Sequence, residues 1–207
     1  MKPIAYDPKT VRRCWLIIGA VTIVEGATIV IFWNSFVPPI FHRAAEASSL
    51  GWLLSAIAAL TYIAYSIRGL ELAPYMLRFP AFRILGPIMA VPTSILEEVF
   101  FRQYLMDAFA RAGQGVVLQV VVSAVIFGIA HAFWGIRGGM RAALNAVAST
   151  TLFGILLGIV YLASDRVVLP CIVAHFAINC VVEPWLVYAY VRRALTQAAS
   201  VVSDGIA

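Results

Sequence analysis

The stretch Ile84-Leu85-Gly86-Pro87-Ile88-Met89-Ala90-Val91-Pro92-Thr93-Ser94-Ile95-Leu96-Glu97-Glu98-Val99-Phe100-Phe101-Arg102 decides the fold. It is apolar almost throughout. With its continuation to Phe109 it is long enough to cross roughly 30 Å of hydrocarbon. Yet it carries Glu97, Glu98 and Arg102 within six residues. Ionisable groups inside a membrane span are costly and by default mark a functional site. Glu98 and Arg102 are four apart, so on a helix they share a face and can pair. Glu97 points about 100° away and has no partner nearby in sequence. A carboxylate so held is a candidate general base. A purely structural reading, a buried salt bridge that fixes helix packing, accounts for the pair and leaves Glu97 over.

The rest of the chain reads the same way. Of its 207 residues, 62% are hydrophobic and 12% charged, against roughly 25% charged in an ordinary soluble domain. A soluble fold of this length has too little interior to hide so much apolar surface. Apolar runs at 14–37, 50–67, 84–109, 116–134, 142–163 and 167–191 predict an all-α, polytopic transmembrane helix bundle of about six spans. The first run is too long, and lacks the cleavage site, for a signal peptide, so it is read as an uncleaved anchor. Lys2, Lys9, Arg12 and Arg13, then Arg68, Arg78 and Arg83, then Arg137 and Arg141, and finally Arg192 and Arg193 fall on one side; Arg43, Arg111 and Arg166 fall on the other. By the positive-inside rule both termini are cytoplasmic. The net charge of +5 is thereby explained by topology, and nucleic acid is not expected as a partner. Cys14, Cys171 and Cys180 have no metal-ligand spacing and are read as small buried hydrophobes. The chain divides into a two-helix extension (1–83), a helix core (84–191) and a short cytoplasmic tail (192–207).

Further polar residues fall within the spans. His131 comes late in the fourth. His175 lies four residues before Asn179 in the sixth, so the two share a face. At about 1.5 Å per residue, Glu97 lies roughly 20 Å from one membrane face and His175 roughly 12 Å from the other, nearly the same depth; His131 comes out several Å nearer the cytoplasm. Glu25 and Glu183 are read as snorkelling, paired or cavity-lining groups and His42 as a loop residue. Pro92 removes a backbone hydrogen bond five residues before Glu97, which predicts a kink and room for water there.

These residues resemble the motifs of the CPBP family, the CAAX proteases and bacteriocin-processing enzymes also called the Abi family. Glu97-Glu98-Val99-Phe100-Phe101-Arg102 is similar to its EExxxR motif, Phe127-Gly128-Ile129-Ala130-His131 to FxxxH, and His175-Phe176-Ala177-Ile178-Asn179 to HxxxN. Gly154, Gly158 and the Leu169-Pro170 pair also fit, and the likeness runs from about residue 85 to 190. Gln103 departs from it, since many members have glycine there. The resemblance implies a helical membrane endopeptidase that cuts near the end of a membrane-associated protein or peptide. It further implies Glu97 as the base that activates water, His131 as its assistant, Glu98, Arg102 and His175 as organisers, and Asn179 as the oxyanion donor. A bacterial plasma membrane is the expected location.

The chemistry agrees with those roles. Peptide hydrolysis needs an activated water and a donor for the developing oxyanion. Ser94 and Ser123 are hydroxyls without a base, so a serine mechanism is discounted. Two histidines and a glutamate also make a catalytic zinc set, which would be Glu97, His131 and His175. There is no H-E-x-x-H run, and Glu98 is matched to Arg102, so a cofactor-free reaction is preferred. Two other classes are open to the same residues: a non-catalytic bacteriocin-immunity or peptide-binding protein, and a small transporter with the carboxylates as a proton relay. No inverted repeat supports the transporter.

Overall fold

The computed structural model describes residues 7–41, 43–69, 81–136 and 139–204. Lys2, His42, Arg78 and Arg137, which entered the reading above as terminal or loop residues, lie outside them. Among the described residues the structure is helical and has no strand.

The first helix, α1 (Pro8–Ile31), starts earlier than its apolar run because Asp7 caps it. The Asp7 carboxylate accepts from the Lys9 and Thr10 amides at 3.3 and 3.0 Å and from the Thr10 hydroxyl at 2.7 Å. That hydroxyl, then the amide, holds the Asp7 carboxyl below its ordinary value. Pro8 suits the first helical position, where its missing N–H costs nothing. Phe32 leaves the helical region (φ −105°, ψ 37°) and ends α1. The predicted first span to residue 37 is therefore two pieces, and a short α2 (Trp33–Phe41) follows with Pro38 and Pro39 inside it. A 3-10 turn (Ala44–Glu46) leads to α3 (Ser49–Gly69), and another (Ala81–Ile84) to α4 (Leu85–Glu98).

Residues 85–111 continue without a loop, but not as one regular helix. Helix α4 runs α-helically through Pro92 to Glu98. The backbone then winds as a π-helix over Val99–Met106 and closes as α5 (Asp107–Arg111). The irregularity thus begins at the glutamate pair and not at the proline. Such π segments are rare and recur at functional sites. After them come α6 (Val116–Ala130), the short α7 (Phe133–Ile136), α8 (Met140–Ala163) and α9 (Leu169–Asp204). Helix α9 passes through Pro184 and continues well beyond the predicted limit at residue 191.

Among the described residues four helices are long and apolar enough to cross a membrane: Pro8–Ile31, Ser49–Arg68, Met140–Ala163 and Leu169–Arg192; Val116–Ala130 is apolar and shorter. Their outward faces carry large side chains such as Ile23, Leu60, Val117 and Met140, each about 70% exposed or more. So broad an apolar surface calls for lipid. Inside, α6 packs most extensively on α8, α9 on α4 and α3, and α1 on α4. Glycines make the α6–α8 approach close. A Cβ on Gly128 would strike the Thr151 hydroxyl and stand 2.8 Å from the Val147 carbonyl, and one on Gly154 would stand 2.9 Å from the Ala124 backbone. Small residues let backbones meet in this way in membranes. At one end, Arg166 bonds Asp107 (2.6 Å) and Gln119 (2.7 Å) while Tyr161 donates to Asp107 (3.0 Å), tying α5, α6 and α8 together.

Candidate active site

Three elements meet at mid-bundle. The end of α4 and its π continuation bring Glu97, Glu98 and Arg102; the end of α6 brings His131; α9 brings His175 and Asn179. Glu98 and Arg102 have no exposed surface, and Arg102 Nε donates to Glu98 Oε2 at 2.7 Å. His175 Nδ1 donates to the other oxygen, Oε1, at 2.8 Å. Arg102 Nη1 donates to Ser123 Oγ at 3.1 Å, and Ser123 donates onward to the Phe101 carbonyl at 3.0 Å. Two charges removed from water thus meet hydrogen-bonding partners on nearly every side, the condition under which a buried ion pair is tolerated. Asn179 is buried, one turn along α9 from His175.

Glu97 faces elsewhere. Among the described residues its Oε2 has no hydrogen-bond partner. It lies 3.7 Å from His131 Nε2 and 3.8 Å from His175 Nε2, and its side chain is 16% exposed. Both imidazoles are oriented from behind. His175 spends its Nδ1–H on Glu98, and His131 spends its own on the Phe127 carbonyl at 2.8 Å. Each ring therefore turns its Nε2 toward Glu97, an acceptor on a neutral imidazole and a donor on a protonated one.

His131 is not inside its helix, as the sequence predicted, but at its C-cap. The last four carbonyls of a helix lack helical partners, and the Phe127 carbonyl is one that His131 satisfies with its own side chain. This also removes the depth mismatch. The sequence estimate took each helix to run straight from face to face, whereas α6 spans 15 residues, about 22 Å, and stops at the histidine beside Glu97.

Phe127 is the hub that sequence reasoning quoted but gave no role. It is fully buried. Its ring lies 4.4 Å from the His131 ring, 6.1 Å from that of His175 and 5.6 Å from the Arg102 guanidinium. Phe153 meets His175 edge-on at 5.0 Å. Ser123, Phe127 and His131 recur every fourth residue, so one stripe of α6 carries the support for both halves of the site. Gln103, the departure from the motif, donates to the Pro39 carbonyl at 3.4 Å and Tyr104 to the Ser35 carbonyl at 2.9 Å. Both hold α2 against the π segment, outside the ion pair.

Of the glutamates outside the motifs that fall in apolar spans, Glu25 on α1 accepts a hydrogen bond from Thr93 Oγ1. Glu183 on α9 has its Oε2 buried with no hydrogen-bond partner among the described residues. Among the described residues no three His, Cys, Asp or Glu side chains form a group that could hold a metal ion. The set named for zinc stands, in this geometry, as two imidazole nitrogens, of His131 and His175, 3.7 and 3.8 Å from Glu97 Oε2.

No curated protein and no solved structure matches the chain closely enough to add to these observations. Residues 79–181, which hold all three motifs, match the family model for the type II CAAX prenyl endopeptidase, Rce1-like. Through that region the chain belongs to the CAAX protease family of integral membrane endopeptidases, which act on a protein or peptide substrate.

Proposed function

We propose that this protein is a glutamate-dependent intramembrane endopeptidase that hydrolyses a peptide bond near the end of a membrane-associated protein or peptide. One observation carries the reading. Of two adjacent buried glutamates, Glu98 is fully bonded while Glu97 presents an unbonded oxygen to two oriented imidazoles. Glu97 is the general base. A water bound to its Oε2 also reaches the neighbouring Nε2 atoms, since contacts beyond about 3.5 Å are commonly bridged by water. The base takes a proton as the water attacks the carbonyl carbon, and that proton passes to the leaving amine when the bond breaks. His131 steadies the water. Glu98, Arg102 and His175 fix the geometry, and the Asn179 amide donates to the oxyanion. The chain crosses the membrane six times with both termini in the cytoplasm, the 85–111 helix and α6 being the two crossings beyond the four long helices. A bacterial plasma membrane is its setting.

The test compares peptide termini in membranes of cells expressing wild type or Glu97→Gln at matched levels. New termini confined to wild type are expected, and they name the substrate. Identical lists with the host phenotype kept by the mutant mean binding or immunity without cleavage. A chelator added to the purified enzyme is expected to leave cleavage intact. Reversible loss, restored by zinc, would replace the water-only reaction with a metal-assisted one built on Glu97, His131 and His175.

A further inference from the structure

Glu25 lies on α1, outside the family-matched region 79–181, and the mechanism above does not use it. It sits mid-helix in an apolar span, where a carboxylate is expensive to keep. Among the described residues it forms no salt bridge. Among the described residues it accepts a hydrogen bond from Thr93, a buried residue of α4. Thr93 and Glu97 are four apart, so they stand one above the other on the same face of α4. The Thr93 bond therefore draws the Glu25 carboxylate to the site's own face, one turn from the general base. Glu25 also lies within Coulombic reach of Glu97 and His131, and Glu183 of α9 reaches the same group of carboxylates.

We infer that Glu25 is a positioning residue of the site, a negative charge brought by the N-terminal helix that favours transfer of the attacking water's proton to Glu97 while the peptide bond is cut. The inference rests on the protease reading. No bond to Glu25 is made or broken. Its charge matters only when charge moves in the reaction, so it acts on the chemical step more than on substrate binding. The α1–α4 contact is then part of the enzyme's working geometry and not only a membrane anchor.

The test uses the full chain in lipid nanodiscs and a quenched fluorescent peptide spanning a bond found in the terminus comparison. Glu25→Gln keeps an oxygen for the Thr93 hydroxyl and removes the charge. The expected result is a fall in kcat of about tenfold or more, with KM within about twofold and an unchanged unfolding temperature. Glu25→Asp should recover part of the loss. A wild-type kcat for Glu25→Gln, with Glu97→Gln inactive in the same assay, overturns the inference and spares the protease reading. A wild-type chain that cuts nothing overturns both. If Glu25→Gln does not fold, Thr93→Val and Thr93→Ser decide. Loss of kcat in the first with retention in the second supports the role, and equal activity in both overturns it.

Discussion

Glu98 has both carboxylate oxygens bonded, to Arg102 at 2.7 Å and His175 at 2.8 Å, and no exposed surface. Glu97, the residue before it, has an unbonded Oε2, two imidazole nitrogens at 3.7 and 3.8 Å, and an edge open to the outside. One helical step of about 100° separates a sealed structural half from an open chemical half. His175 belongs to both, since Nδ1 serves Glu98 and Nε2 faces Glu97. On the proposed function, the sealed half holds the open half still. Preorganised polar groups act on a reaction only if they do not have to move during it.

Substitutions should separate the two halves. The largest effect on stability is expected from Arg102→Leu, which leaves Glu98 buried beside one remaining partner. Loss of one member of a buried pair costs about 3–5 kcal/mol, to be read from denaturant unfolding in detergent. A loss under about 1 kcal/mol would mean that the sealed half is not what holds these helices together. A smaller effect is expected from Gly128→Val. The new side chain meets Thr151 and the Val147 backbone of α8, and overpacking of this kind costs about 1–3 kcal/mol. Because Gly128 lies three residues before His131, cleavage should fall by more than the stability loss alone explains. If activity tracks stability in a plain way, the strut behind His131 is not needed for the chemistry.

The sequence made much of this legible, through physics that acts locally. Apolar length marked α3, α8 and most of 85–111 within a few residues. The four-residue spacing of Glu98 and Arg102 marked their ion pair, and the isolation of Glu97 marked it as different. What stayed hidden depends on contacts distant in the chain or on how helices end. Nothing in Val99–Met106, no glycine and no proline, announces a π-helix. The break at Phe32 lies inside an unbroken apolar run, so hydropathy passed over it. Helix α9 outlasts its apolar stretch, so the reading stopped at residue 191 while the helix goes on to Asp204. His131 was placed inside a helix because its end is set by the histidine's own side chain. The bond of Ser123 to Arg102 and the contact of Phe153 with His175 came into view only once α6, α8 and α9 were packed together. Glu25 and Glu183 were noticed as charged residues in apolar spans, but nothing near them in sequence tied them to Glu97.

The most direct measurement sets the two neighbouring glutamates against each other. Glu97→Gln and Glu98→Gln are purified in the same lipid nanodiscs, and unfolding temperature and peptide cleavage are measured on each. The expected result is a Glu97→Gln protein that unfolds like wild type and cuts nothing, beside a Glu98→Gln protein that unfolds at a clearly lower temperature. Cleavage by Glu97→Gln, or a stability loss as large in Glu97→Gln as in Glu98→Gln, would contradict the division of labour between them.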